Sequence, residues 1–347
     1  MWFLYITARF LISRVFFRSM YEIKKELNDF IVKEISNWKF QEEGIYAIAI
    51  LQKTNYTTIR AIEHIALALN IPLKFISFAG TKDKNAITTQ YISIKGIKKE
   101  RIEKIKLKDI ELEFCGYLDK PISLGELEGN EFIITVKNIT EDEIKKVEEK
   151  ITQKVLMPNY FGEQRFSRNN IEIGKLLLQN KYKEAAELII SSNSDYKTEM
   201  EEELKKNNPV SAIRKIPKKL ILIYIHAYQS KLWNKVMKEY TFEKKENAEI
   251  PVIGFGTEFE NEKIEEIYEK IMKEEGITLR NFINRSIPEL STEGTTRIAF
   301  VEIEDLKIIE KQENSIKLNF KLKKGSYATI AIAYLFDCID TVCKDFI

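Results

Sequence analysis

Histidine and cysteine are scarce in this chain, and their scarcity removes whole classes of chemistry. The two histidines, His64 and His226, lie far apart, which leaves almost no raw material for a zinc site or a Ser-His-Asp triad. The three cysteines, Cys115, Cys338 and Cys343, form no CxxC pair. They are too few and too scattered for a disulfide framework and fit a reducing cytoplasm. There is also no glycine-rich phosphate loop and no dinucleotide fingerprint, so an enzyme built on a nucleotide cofactor lacks its binding loop. Any chemistry is expected to run on carboxylate and aromatic groups, without a metal or cofactor.

A large excess of one charge is missing too. The net charge of +2 says almost nothing about partners, because a nucleic-acid binder needs only a local basic surface. Residues 95–108 hold seven basic residues against two acidic ones, and residues 211–238 hold seven basic residues and no acidic one. The second stretch is the better candidate for tracking phosphates; a solvated face is the plainer alternative for both. Long hydrophobic runs are absent as well. Residues 1–20 are apolar and aromatic but broken by Arg9, Arg14 and Arg18, too short between charges to span a bilayer. The apolar stretch starts at residue 2 with no clear cleavage site, which argues against a signal peptide. It is either a terminal element packed on the fold or an over-called start upstream of Met20.

With 347 residues, 44% of them hydrophobic, the chain is long for one domain and comfortable for two. Residues 21–136 alternate short strands and helices: strands at 30–35, 45–51 and 87–94, a helix at 57–70 capped by Thr57 or Thr58, a basic helix near 97–107, and a strand at 131–136 introduced by a Gly129-Asn130 turn. A helix over 141–156 is expected to end at Pro158. The middle, 158 to about 301, reads as helical, with helices at 171–179, 183–190, 220–239 and 262–275 and a polar surface excursion at 191–209. Residues 315–322 alternate strictly, putting Ile316, Leu318, Phe320 and Leu322 on one face of a strand. A final helix is expected through 328–342. The pattern suggests one sheet interrupted by an insertion.

The stretch from Gly80 to Gln90 sets one carboxylate, Asp83, between Lys82 and Lys84. An acid held among lysines tends to stay ionised, and a charged turn feeding a strand, after a glycine where the chain can turn sharply, mounts a reactive group well. Taken alone, an aspartate in such a place is more often a turn residue or a solvated surface charge. Strand period puts Phe30, Val32 and Glu34 on one face, an aromatic ring beside a carboxylate. Asn130 and Phe132 likewise share a face, an amide that both donates and accepts beside a ring. Tyr327 follows Gly325-Ser326 where a strand gives way to a helix. Residues 158–166 pack three rings, Arg165 and polar amides into one stretch, too polar for core and too aromatic for an ordinary loop. The aromatics of 227–234 read as core on a helix more readily than as stacking platforms.

Phe78 to Gln90, Phe-Ala-Gly-Thr-Lys-Asp-Lys-Asn-Ala-Ile-Thr-Thr-Gln, resembles the catalytic motif of the TruD family of pseudouridine synthases. The resemblance spans nearly the whole chain in order. The opening motif is similar at Ile23-Lys24 and 29–34, with Leu27 and Asn28 standing where the family has proline and an acid. Residues 157–166 resemble the start of the family's inserted domain, 227–234 a motif inside it, and 323–329 the closing motif, with a lysine where proline often stands. The resemblance implies an α+β fold: a pseudouridine synthase catalytic domain with a central mixed or antiparallel sheet flanked by helices, interrupted by an inserted α/β domain. The implied boundaries are 1–157 and 302–347 for the catalytic domain and 158–301 for the insertion.

It further implies an isomerase that converts a specific tRNA uridine, position 13 of the D arm, to pseudouridine, with some members acting on pre-tRNA or other structured RNA. The implied nucleophile is Asp83. Lys24 is expected to pair with it and Glu34 to serve the catalytic group, with substrate contacts at Phe30, Asn130, Phe132, Tyr327 and Arg165. Attack on the ribose carbon, attack on the uracil ring, and deprotonation of the sugar all remain open routes for Asp83. Cytoplasmic localisation, a monomer with no obligate protein partner, and no membrane association complete the expectation. The alternative is a non-catalytic RNA-binding protein or tRNA-folding chaperone on the same fold.

Overall fold

Period-two alternation builds the largest element of the fold. In the computed structural model, which describes residues 21–166, 169–192 and 195–344, eight strands share one sheet: β1 (Phe30–Ile35), β2 (Tyr46–Thr54), β3 (Ile76–Phe78), β4 (Ile87–Lys95), β5 (Ile110–Leu118), β6 (Gly129–Lys137), β7 (Glu304–Gln312) and β8 (Ser315–Lys323). Their order is β7-β8-β6-β1-β4-β2-β5, with β3 paired to β4. β1 and β4 are parallel, and the other pairs are antiparallel. The expected α+β fold with a central mixed sheet is therefore present. The 1–20 segment lies outside the described residues.

The chain divides into two compact units, one made of the described residues up to Val155 with Glu302–Gly325, the other of Leu156–Val301 with the described residues from Ser326. The expected closing segment 302–347 is thus split between the units at Gly325. In the first unit, helix α1 (Thr58–Leu69) starts where Thr57 accepts from the Arg60 amide. It buries Ala61, Ile62, Ile65 and Leu69 against Ala49, Leu51, Ile92 and Ile94 of the sheet. Two shorter helices follow, α2 (Lys99–Glu103) and α3 (Glu141–Ile151).

The second unit is mainly helical: α4 (Asn170–Leu178), α5 (Tyr182–Ser191), α6 (Lys197–Lys205), α7 (Pro209–Arg214), α8 (Lys218–Glu239), α9 (Glu262–Glu275), α10 (Ala328–Leu335) and α11 (Ile339–Val342). Tyr228 and Trp233 of α8 are fully buried, so the aromatics of 227–234 are core, as expected. Among the described residues no helix is long and apolar enough to cross a membrane.

Several boundaries differ from the sequence expectation. The 141–156 helix stops at Ile151, before Pro158, because Val155 and Met157 bury alternately and Leu156–Pro158 is a strand. The helix near 97–107 shrinks to α2, and Leu107 bridges Ile110 instead. Gly129 and Asn130 are not a turn; they open β6, and a side chain at Gly129 would collide with the Leu322 carbonyl of β8. The polar 191–209 stretch is no mere surface excursion, since α6 buries Met200 completely. The final helix is broken at Asp337, whose φ of 51° is left-handed and ends a helix.

Candidate active site

The segment before β1 is pinned at both ends. Glu22 exchanges main-chain hydrogen bonds with Lys137 at the end of β6, 2.8 Å each way. Leu27–Asp29 forms one 3₁₀ turn with reciprocal caps between Glu26 and Asp29, and the buried Asp29 carboxylate pairs with Lys137 at 2.8 Å. The turn therefore closes with Leu27 and Asn28 in it. Between these anchors Lys24 holds a φ of 60°, a left-handed conformation that a residue with a long side chain seldom takes. Its ammonium donates to Asp83 Oδ2 at 2.6 Å and lies 4.0 Å from the centre of the Phe30 ring. One cation thus touches both the acid and the ring. Such local strain commonly accompanies a functional group.

Asp83 sits on the loop between β3 and β4. Gly80 has neither a positive φ nor a close neighbour, so the sharp glycine turn expected there is not what shapes the loop. Lys82 turns inward to Glu34: the two form an ion pair at 2.5 Å with side chains 7% and 0% exposed. The Tyr91 amide donates to the other Glu34 oxygen at 3.4 Å. Phe30, Val32 and Glu34 are all buried on one face of β1, as the period requires.

Strand β6 lies beside β1 with Asn130 opposite Glu34 and Phe132 opposite Val32. Phe132 meets Phe30 edge-on at 6.2 Å and stacks on Phe320 at 5.5 Å. Asn130 Oδ1 is buried with no hydrogen-bond partner, which in a folded protein calls for an explanation. Lys24, Phe30, Glu34, Asp83, Asn130 and Phe132 are therefore gathered in the first unit.

Arg165 and Tyr327 belong to the second. Residues 158–166, expected to be too polar for core, are largely buried: Asn159, Tyr160, Phe161 and Phe166 are each under a tenth exposed. Their polar groups are satisfied from elsewhere. Asn234 of α8 clamps the Phe161 main chain with both amide atoms at 3.0 Å, and Arg297 donates to the Asn159 carbonyl and side chain. The Arg297 guanidinium lies 4.0 Å from the Phe161 ring centre. Arg165 donates to Ser230 at 3.1 Å. Burial pushes the Tyr327 phenol up, and the charges of Arg165 and Arg297 pull against it. Burial likewise lowers Arg297, to about 10.

The model of one family, described as tRNA pseudouridine synthase D (TruD), matches residues 20–208 and 238–333. This chain belongs to the TruD family. TruD proteins are tRNA pseudouridine synthases, isomerases that convert uridine to pseudouridine. A TruD relative from Aquifex aeolicus (strain VF5), named tRNA pseudouridine synthase D, is 34% identical over 380 residues, covering 92% of this chain and 98% of that protein. Another, from Nanoarchaeum equitans, is 32% identical over 388 residues and covers 90% and 98%. A crystal structure described as a candidate TruD from Methanosarcina mazei superposes with a TM-score of 0.70 at 28% identity, covering 91% of this chain and 93% of that one.

Three residues at or near these sites were not singled out from the TruD sequence pattern. Lys53 falls on the inward parity of β2 with Ala47, Ala49 and Leu51, and a lysine on an apolar face was the available signal. Lys82 had only its adjacency to Asp83. Arg297 carried no signal, since its partner Asn159 lies 138 residues away.

Proposed function

We propose that this protein isomerises the uridine at position 13 of the tRNA D arm to pseudouridine, with Asp83 as the nucleophile. The observation that carries the reading is the Asp83 carboxylate held at 2.6 Å by Lys24, which itself covers the Phe30 ring. A charge-assisted hydrogen bond of that length orients the carboxylate. The reaction breaks the C1′–N1 bond, turns the uracil, and forms C1′–C5, with the C5 proton exchanged for one on N1. It rearranges bonds already in the substrate, so no group needs to be supplied.

In this reading Phe30 and Phe132 form the apolar wall for the flipped base, a contact worth roughly 1–3 kcal/mol per stacked base. Asn130 reads the base edge, which gives its unpartnered oxygen a ligand. Glu34 acts through Lys82, fixing the residue next to Asp83. Arg165 and Tyr327 engage the RNA from the second unit, whose residues 158–301 we take as the inserted domain. Unstacking the target uridine costs a few kcal/mol that phosphate contacts must offset. The protein is proposed to work as a monomer in the cytoplasm.

The test is incubation with an unmodified tRNA transcript, without added cofactor, mapping pseudouridine at nucleotide resolution beside Asp83→Asn. Pseudouridine at position 13, lost in the variant while RNA affinity stays within a few-fold, is the expected result. Turnover by Asp83→Asn would refute the nucleophile. RNA binding by the wild-type protein with no product on any tRNA would favour the binding-protein alternative.

A further inference from the structure

Lys53 is an anomaly in the core of the first unit. It is fully buried on the face of β2 that carries Ala49 and Leu51, and an ammonium there costs several kcal/mol unless its protons are used. They are used on main chain. Its Nζ donates to the Tyr56 carbonyl at 2.5 Å and to the Asp83 carbonyl at 2.9 Å. Neither acceptor is a carboxylate, so the arrangement is not a simple buried ion pair.

Two more buried side chains hold the same loop. Thr58, 1% exposed at the start of α1, accepts from the Lys82 amide at 2.8 Å and donates to Gln90 Oε1 at 2.9 Å. Gln90, also 1% exposed, donates its amide to the Gly80 carbonyl at 3.0 Å. Three successive anchors, at Gly80, Lys82 and Asp83, thus fix the main chain through groups that come from β2, α1 and β4. None of them uses the Asp83 carboxylate, which pairs with Lys24.

We propose that Lys53, with Thr58 and Gln90, is a positioning residue that sets the place of Asp83 by clamping the main chain of its loop. This rests on the reading of Asp83 as the nucleophile. A shape-matched aliphatic side chain at position 53 would remove the cost of a buried charge, so a fold selected for stability alone has no use for lysine there. A nucleophile, in contrast, must be held within about half an ångström of its working position. The Lys53 charge acts in the same direction, since it lies near the Asp83 carboxylate, which opposes the lowering that burial imposes on the ammonium.

The decisive experiment compares wild type with Lys53→Met and Thr58→Val by amide hydrogen exchange over residues 80–86 and by steady-state kinetics on tRNA transcript. The expectation is exchange at least about tenfold faster in that loop, with β2 and α1 protected as in wild type, and kcat lowered by about 10²-fold with KM nearly unchanged. If Lys53→Met does not fold, Thr58→Val, which keeps its shape, carries the test. Unchanged exchange in the loop overturns the clamp, and so does a wild-type kcat in a variant whose loop has loosened. A fall in kcat that only follows loss of the folded fraction also overturns it. Wild-type protein inactive on every tRNA would count against the functional reading instead, and the exchange data would then decide the clamp alone.

Discussion

Glu34 and Lys82 form an ion pair sealed from solvent, their side chains 0% and 7% exposed at 2.5 Å. Breaking such a pair leaves one charge uncompensated, at a cost of about 3–5 kcal/mol. Glu34→Gln is expected to lower the urea midpoint accordingly, and Glu34→Leu with Lys82→Met to recover most of that loss. Equal stability of the single variant and wild type would mean that water reaches Lys82.

Asn130 predicts an opposite balance between stability and activity. A buried acceptor without a donor costs about 1–3 kcal/mol, so Asn130→Ala should melt no lower than wild type. Its kcat/KM should nevertheless fall by about 10²-fold, the scale of losing one positioned polar contact to the transition state. A melting temperature that drops steeply would show that the amide serves the fold.

Gly162 lies directly against the Tyr327 ring in the second unit. A methyl group there would sit 2.9 Å from Tyr327 Cδ1 and 3.0 Å from its Cγ. Overpacking of this kind costs about 1–3 kcal/mol. Gly162→Ala should therefore displace the Tyr327 ring and raise KM for tRNA, which steady-state kinetics would show. Unaltered KM would remove Tyr327 from the substrate path.

Acid should unfold the second unit through Glu275. Burial works against its ionisation, but hydrogen bonds from Lys175 and Lys235 and the Lys231 charge hold its carboxyl at about 2. A folded value below the unfolded one means that its stabilisation is full above about pH 4.5 and is lost as pH falls through about 2. Glu275→Gln should melt lower than wild type at pH 6, and the gap should close as the pH approaches 2. A gap that persists at pH 2 would assign the effect to packing.

How much of this was legible in the sequence depends on the reach of each interaction. β1, β4, β8 and α9 could be read because their periods are local, and the loop of Asp83 because its residues are contiguous. The acid-free stretch 211–238 shows the complementary limit. Lys231 and Lys235 pair with Glu275, Lys215 with Glu203 and Arg214 with Glu289, leaving Lys218, Lys219 and Lys238 as its cations without a salt bridge among the described residues. The acids came from other helices, where no window on the sequence could find them. β7 was missed because as an edge strand its residues are mostly charged or half exposed, which masks alternation.

The site wall is completed late in synthesis. β6, which carries Asn130 and Phe132, has β1 on one side and β8 on the other, with Phe320 opposite Phe132 and Leu322 opposite Asn130. The helical unit has to emerge from the ribosome before β8 exists, so until then β6 presents a bare apolar edge. Pairing across so long a stretch of chain is slow, and an unpaired strand in the interval invites association with other nascent chains. Shielding of that edge while translation proceeds is therefore expected to affect the yield of active protein alongside the stability of the finished fold.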